Sequence, residues 1–425
     1  MADESILSDD LVRQLMSVGE VDILVGLHTH DHADTIGPVV QAIREGLINH
    51  FPRERVAILN ADAGSSDGTR DLIRAAGIDD ARYRSKLQTL RTLHVISSQY
   101  GTTVSPGIAM HIFVEAADLL RARGCAVVSP DSSDIQPDWV DRLLQPVLRG
   151  NIDLVTPTYR RHRFEGILVT NLMYPMMRAL YGRNVREPRP AEFAFSDRLS
   201  GLLVNHPMWS QDAGRLGPEV CVTIEALAEG FPLAQTYLGA RSHLEQQPGD
   251  LVAALRQSVG PLFWAMESLD GTWDKIQGVQ AVPTNGPEYE VTEGTVKGDL
   301  TRLRQMFSSG VADLAPVLKS ILSPAVLQQL QQVASLPEEQ FDFTDELWVK
   351  VVYEFASSYR RSVINRDHII QALAPLYRGR AYHFITQNQD VAPDALEQRV
   401  EALCESFERL KPYLVSLWTA QERGV

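Results

Sequence analysis

The chain has 425 residues, 44% hydrophobic and 22% charged, which is ordinary globular composition and enough length for two domains with separate cores. Its 54 acidic against 40 basic residues give a formal net charge of −14, which argues against a nucleic-acid or anionic-membrane surface.

In chain order, "VDILVGL" predicts a strand, about Thr35 to Asn49 a helix, "RVAILNA" a strand, and "SSDGTRDLIRAAG" a capped helix closed by Gly77. "TLHVISSQ" is a strand, about Gly107 to Arg123 a helix, "CAVVSP" a strand, "PDWVDRLLQPVLRG" a helix and "IDLVTPTY" a strand. Strands separated by helices of this length imply parallel pairing with right-handed crossovers, a doubly wound α/β sheet. Ligands of such sheets sit beyond the carboxyl ends of the strands, where the histidines of "HTHDH", "NADAGSSDGT" and "SPDSSDIQ" all fall. After about residue 245 the pattern turns helical, in "PGDLVAALRQSVGPLFWAMESLDGTWDKI", 300–335 and 344–421. The expected division is an α/β domain over 1–245 and a helical domain over 246–425, with a long loop at about 278–298.

Cys125, Cys221 and Cys404 are odd in number and lack metal-type spacing, so they read as buried thiols of a reducing compartment. The start "MADESILSDD" has no apolar signal core and no run is long enough for a bilayer, so a cytoplasmic protein is expected.

"ILVGLHTHDHADTIGPVV" raises the question of a metal site, because His28, His30 and His32 alternate and would share one face of a strand. His-x-His at the end of a first strand resembles the metal-dependent amidohydrolases, in which imidazoles hold a water-activating zinc ion. The other reading is a strand running into a polar turn that faces solvent or a ligand.

"ILNADAGSSDGTRDLI" ends a strand, turns through Gly-Ser-Ser-Asp-Gly and opens a helix, which gathers the Asp62 carboxylate and several amides at the sheet's carboxyl edge. The stretch resembles the "DxGSTDGT" signature of the GT-A fold, family-2-like nucleotide-sugar glycosyltransferases, which implies that Asp62 bonds the donor's base. "VVSPDSSDIQPDWV" stands where that family carries Asp-x-Asp. There a divalent cation, Mg²⁺ or Mn²⁺, neutralises the donor diphosphate. The resemblance implies Asp134 as metal ligand, with Asp131 or Ser132 completing the set.

"TYRRHRFEGILVTNLMYPMMRALYG", "EPRPAEFAFSD" and "GPEVCVTIEALAEGFPLAQTYLGARSH" resemble the mannosylglycerate, glucosylglycerate and glucosyl-3-phosphoglycerate synthases. "FDFTDELWVKVVYEFASSYRR" and "LYRGRAYHFITQN" resemble the helical domain of the first. This implies His243 as a further metal ligand, Glu219 near the acceptor, and Asp31 with Asp62 and Asp134 around the nucleotide sugar. Thr170 with Arg160, Arg161 and Arg163 would bind the acceptor carboxylate, since guanidinium pairs with carboxylate in a bidentate way.

The activity implied is retaining transfer of glucose or mannose from GDP- or UDP-hexose to D-glycerate, giving a charged compatible solute. Use of 3-phosphoglycerate is the nearest alternative; Leu168, with Ile167 before it, stands where phosphoglycerate-using relatives supply an arginine. Two more distant alternatives are the amidohydrolase-like hydrolase and a sugar-nucleotide binder without turnover. The second follows from the altered Asp-x-Asp and from Pro106 standing where relatives carry a lysine. No nucleic-acid or membrane partner is expected, and a homodimer is left open.

Overall fold

The computed structural model describes residues 5–76, 92–132, 134–241, 250–287, 290–292 and 299–420. The described residues divide into two compact units. One lies within Met1–Arg160, Arg189–His243 and Val282–Glu290, the other within Arg161–Pro188, Leu244–Ala281 and Val291–Val425. The expectation was one cut near residue 245; the units interleave in sequence, and Arg161–Pro188 is counted with the helices.

The sheet is built from β1 (Ile23–Thr29), β2 (Arg55–Asp62), β3 (Thr92–Gln99), β4 (Gly124–Val128), β5 (Leu154–His162), β6 (Phe193–Ser196), β7 (Leu233–Ala240) and β8 (Thr284–Asn285). Their order is β3-β2-β1-β4-β6-β5-β7-β8. Among these eight strands pairing is parallel except at β6, which runs antiparallel to both β4 and β5. The α/β class and the mainly parallel, Rossmann-like sheet are as the sequence predicts. Ile23, Leu24, Val25 and Leu27 are all buried, as a strand covered on both faces requires. The antiparallel β6 is the exception within that mainly parallel sheet. It is entered after a long excursion, 163–192, rather than through a short crossover, so the chain can return in the opposite sense.

Connecting helices of the first unit are α1 (Asp9–Val18), α2 (Ala33–His50), α3 (Thr69–Ala76), α4 (Pro106–Leu119) and α5 (Asp138–Leu148). α7 (Asp197–Leu203), α8 (Asp212–Leu216) and α9 (Pro218–Ala228) follow, while α6 (Tyr174–Tyr181) belongs to the second unit. α1 was not foreseen; Ser8 caps it, accepting from the Leu11 amide at 3.2 Å, and Leu11 and Leu15 are buried. Gly77, expected to close α3, lies outside the described residues.

The second unit is helical, as expected: α10 (Leu251–Ser268), α11 (Leu300–Asp313), α12 (Ala315–Ile321), α13 (Pro324–Ser335), α14 (Asp345–Arg361), α15 (Arg366–Asn388) and α16 (Pro393–Thr419). α6 docks on α16 through ion pairs. Arg178 meets Glu401 at 2.5 Å and Glu408 at 2.7 Å, and Arg186 meets Glu397 at 2.5 Å while stacking over Tyr174. All three cysteines are unpaired and buried, as expected of structural thiols. Among the described residues no helix is long and apolar enough to cross a membrane.

Candidate functional site

The site begins where β1 and β2 end side by side, with Thr29 opposite Asp62 in the parallel register. Asp62 is fully buried. Its Oδ1 accepts from the Thr29 hydroxyl at 2.9 Å and the Ser65 hydroxyl at 2.5 Å, and its Oδ2 from the Gly64 and Ser65 amides at 3.0 and 2.9 Å. The Thr29 hydroxyl, with one proton, lies equally close to Asn60 Oδ1 at 2.9 Å. The carboxylate therefore orders the Gly64–Gly68 turn. Gly64 and Gly68 have φ of 86° and 93°, a region closed to most side chains, which is why glycine recurs in this loop.

The first loop is tied to the second residue by residue. Asp31 sits at φ 54°, which aspartate tolerates. Its Oδ1 accepts from the Ser66 amide at 2.8 Å, while its own amide donates to the Ser65 hydroxyl at 3.0 Å. The His32 amide donates to the Thr69 hydroxyl at 2.8 Å and the Ala33 amide to Asp67 at 2.8 Å. Bonds from the Thr69 hydroxyl and the Ala33 amide hold the exposed Asp67 carboxyl down at about 2.

The three imidazoles do not converge. β1 stops at Thr29, and the left-handed turn at Asp31 breaks the alternation on which a shared face depends. His28 Nε2 meets the Tyr100 hydroxyl at 2.8 Å, and His30 Nδ1 lies 3.1 Å from the Ala63 carbonyl. His32 Nδ1 accepts from the His30 amide at 2.9 Å, which leaves the ring proton on Nε2, 3.4 Å from Asp131. Among the described residues no group of three or more His, Cys, Asp or Glu side chains is placed to hold a metal ion. The open sheet also lacks the closed barrel that an amidohydrolase reading requires.

The acidic loop follows β4. Asp131 is exposed beside His32, and Asp134 is half-buried. Ser132 is buried and donates its hydroxyl to Glu192. Glu192 is the residue that sequence reasoning missed. It is fully buried just before β6 and takes the Ser132 hydroxyl on one oxygen and the Tyr159 hydroxyl on the other. Arg241, immediately after β7, reaches it at 3.4 Å and lies over the Tyr159 ring. Burial alone would lower the Arg241 pKa, but Glu192, then Tyr159, Asp131 and Asp134, reverse that and raise it. "AEFAFSD" carried one usable signal: a glutamate directly before an apolar strand is expensive to bury without partners. His243 lies outside the described residues.

Glu219 sits in the first turn of α9. Burial raises its pKa, opposed by the charge of Arg189, and its buried Oε2 has no hydrogen-bond partner among the described residues. An orphaned carboxylate oxygen is a rare and costly feature that a bound hydroxyl or amide would satisfy.

The expected acceptor residues are more dispersed. The Arg160 side chain is exposed and makes no hydrogen bond or ion pair among the described residues, though its charge acts on Tyr237. In the second unit Arg161 pairs with the buried Glu187. Arg163 caps the end of α15, donating to the Asn388 and Gln389 carbonyls at 3.4 and 2.7 Å. Thr170 is half-buried in a single π-helical turn, Val169–Met173, a distortion that recurs at functional sites. Its hydroxyl makes only long contacts, 3.4 Å to each of the Gly166 and Ile167 carbonyls. Two of the three arginines are thus committed to the fold.

No family model and no curated protein matches the chain. Among solved structures it is similar to glucosyl-3-phosphoglycerate synthase of Mycobacterium tuberculosis, 24% identical over 60% of this chain and 84% of that one, with a TM-score of 0.42. A complex of that enzyme with Mn²⁺, uridine diphosphate and phosphoglyceric acid is 23% identical over 61% and 82% of the two chains, with a TM-score of 0.44. Mannosyl-3-phosphoglycerate synthase of Rubrobacter xylanophilus is 22% identical over 61% and 79%, with a TM-score of 0.41.

Proposed function

We propose that the chain is a retaining glycosyltransferase that moves glucose or mannose from a GDP- or UDP-linked donor to D-glycerate. The observation that carries this reading is the meeting of three loops, from the ends of β1, β2 and β4, with Arg241 after β7 and Glu192 before β6. A nucleotide diphosphate needs such a set: a rigid amide-lined turn and a locally arranged group of charges. The loop braced by Asp62 and Asp31 would line the nucleoside.

Asp131, Asp134 and Glu192 bring three negative charges against one from Arg241, and the balance of two suits a divalent cation. Asp134, with Asp131 and His243, would hold Mg²⁺ or Mn²⁺, which would neutralise the diphosphate and the charge on the leaving group. Glu219, with its orphaned oxygen and raised pKa, would orient a hydroxyl of the acceptor or sugar. Arg160 would take the acceptor carboxylate. Retention and the glycerate acceptor rest on the sequence resemblance.

The test is a panel of GDP- and UDP-linked glucose and mannose, each with D-glycerate and Mn²⁺, read by product mass. A hexosylglycerate mass that disappears with EDTA is expected. Product formed undiminished in EDTA overturns the metal assignment, and absence of product with every donor overturns the transferase. The engagement of Arg161 with Glu187 and of Arg163 with the carbonyls ending α15 favours a second reading, a nucleotide-sugar binder without turnover. That reading predicts a nucleotide-dependent rise in melting temperature and no product.

A further inference from the structure

Within the helical unit, a cavity of about 210 Å³ opens between the start of α14, the last turns of α15 and the first turns of α16. Its polar lining includes Asp345, Arg380, His383, Gln387 and Arg399, with Phe384 as an apolar wall. The volume is below the ~300–1,000 Å³ of drug-sized sites and suits a ligand of a few carbons.

The donors here outnumber the acceptors. Arg380 is almost fully buried and largely spoken for: Nε donates to Asn171 at 2.9 Å, Nη1 to the Phe343 carbonyl at 3.1 Å, and Nη2 pairs with Asp345 at 2.6 Å. Its charge is therefore balanced. His383 Nδ1 accepts from the Phe343 amide at 3.3 Å, so the ring proton stands on Nε2, which faces Asp342 Oδ1 at 3.8 Å. Burial, then the Arg380 charge, pulls this imidazole down to about 4, so it is neutral at pH 7. Arg399 Nη1 caps α15, donating to the Gln387 carbonyl and, at 2.8 Å, to Asn388 Oδ1. That cap accounts for one nitrogen only. Nε and Nη2 of Arg399 make no hydrogen bond, and the guanidinium has no carboxylate partner, among the described residues. The exposed Gln387 side-chain amide has no partner among them either.

The Arg399 guanidinium, with a planar pair of N–H groups that have no partner among the described residues, and the Gln387 amide beside it describe a receptor for one singly charged, planar anion. We infer that this cavity binds a small monocarboxylate, its two oxygens on Nε and Nη2 of Arg399, flanked by Gln387, with its short carbon chain along Phe384. Asp345 discriminates against a phosphate, whose second charge it would repel. The inference is independent of the proposed transferase activity.

Titration calorimetry of the full chain with lactate, at ionic strength held constant with chloride, tests it. Saturable binding of one lactate is expected, weakened about tenfold or more in Arg399→Gln and in Gln387→Glu, with inorganic phosphate binding less tightly. Gln387→Glu adds a charge at an exposed side chain without removing a bond, so its fold is expected to survive, as melting temperature would verify. Non-saturating heat, or lactate affinity unchanged in a folded Gln387→Glu variant, overturns the site. Tighter binding of phosphate than of lactate overturns the ligand class.

Discussion

Burial of His28, together with the neighbouring charges of His32 and His30, pulls its pKa from 6.5 to about 4, against a smaller opposing pull from Asp62. The neutral ring can accept the Tyr100 hydroxyl at 2.8 Å, which also accepts from the Ser105 amide at 3.0 Å. In the unfolded chain the same group takes up a proton near pH 6.5, so folding excludes that proton between 6.5 and about 4. Stability from this group is complete above pH 6.5 and falls as pH drops through that window, by at most about 3 kcal/mol. His383 acts in the same sense. Urea midpoints between pH 7 and pH 4 should fall more steeply in the native chain than in His28→Gln; equal slopes would refute the assignment. Glu192 is a buried carboxylate paired with Arg241 and two hydroxyls. Glu192→Ala strands a buried guanidinium and should cost about 3–5 kcal/mol in urea unfolding, whereas Glu192→Gln, which keeps both hydroxyl bonds, should cost clearly less. Equal losses would mean that the charge of Glu192 contributes nothing.

At the scale of elements, the start of α4 is set by contact with α8. A Cβ added at Gly107 would lie 2.4 Å from the Gly214 carbonyl oxygen and 2.5 Å from the Arg215 Cα, both backbone atoms that cannot turn aside. Gly107→Ala should therefore push the first turn of α4 off α8 and cost about 1–3 kcal/mol, seen as a lowered melting temperature; an unchanged one would mean that the helices separate freely. The elements themselves were largely legible, because long apolar runs and amphipathic periods report burial directly. "RVAILNA" and "PDWVDRLLQPVLRG" lie almost on β2 and α5. The direction of β6 was not legible, since four residues, "FAFS", carry no sign of which way they run. The site was partly legible. The sequence placed Asp31, Asp62, Asp131 and Asp134 at one sheet edge, but it could not say who satisfies each oxygen. That depends on donors distant in the chain: Thr29 for Asp62, and Ser132, Tyr159 and Arg241 for Glu192.

For the molecule as a whole, a net charge of −14 opposes the approach of any anionic substrate, so discrimination between acceptors falls to the few cations left free at the site. Under the proposed activity both acceptors carry a carboxylate, and 3-phosphoglycerate adds nearly two further charges. Of the arginines between 160 and 163, Arg161 is held by Glu187 and Arg163 by the carbonyls that end α15, so only Arg160 is free to meet an anion. Ile167 and Leu168 are buried and apolar, and cannot compensate a phosphate. One guanidinium suffices for a carboxylate and leaves a phosphate unpaired. The expected kcat/KM is therefore at least about tenfold higher for D-glycerate than for 3-phosphoglycerate. Arg160→Ala should lower kcat/KM for glycerate about tenfold or more, mainly through KM. Leu168→Arg is a poor probe, because the new charge would enter a buried position and cost stability before it could reach a ligand. A preference for 3-phosphoglycerate would mean that Arg161 or Arg163 leaves its partner on binding. Glu187→Gln, by loosening Arg161, should then strengthen phosphoglycerate use further, whereas a glycerate enzyme should show no such gain.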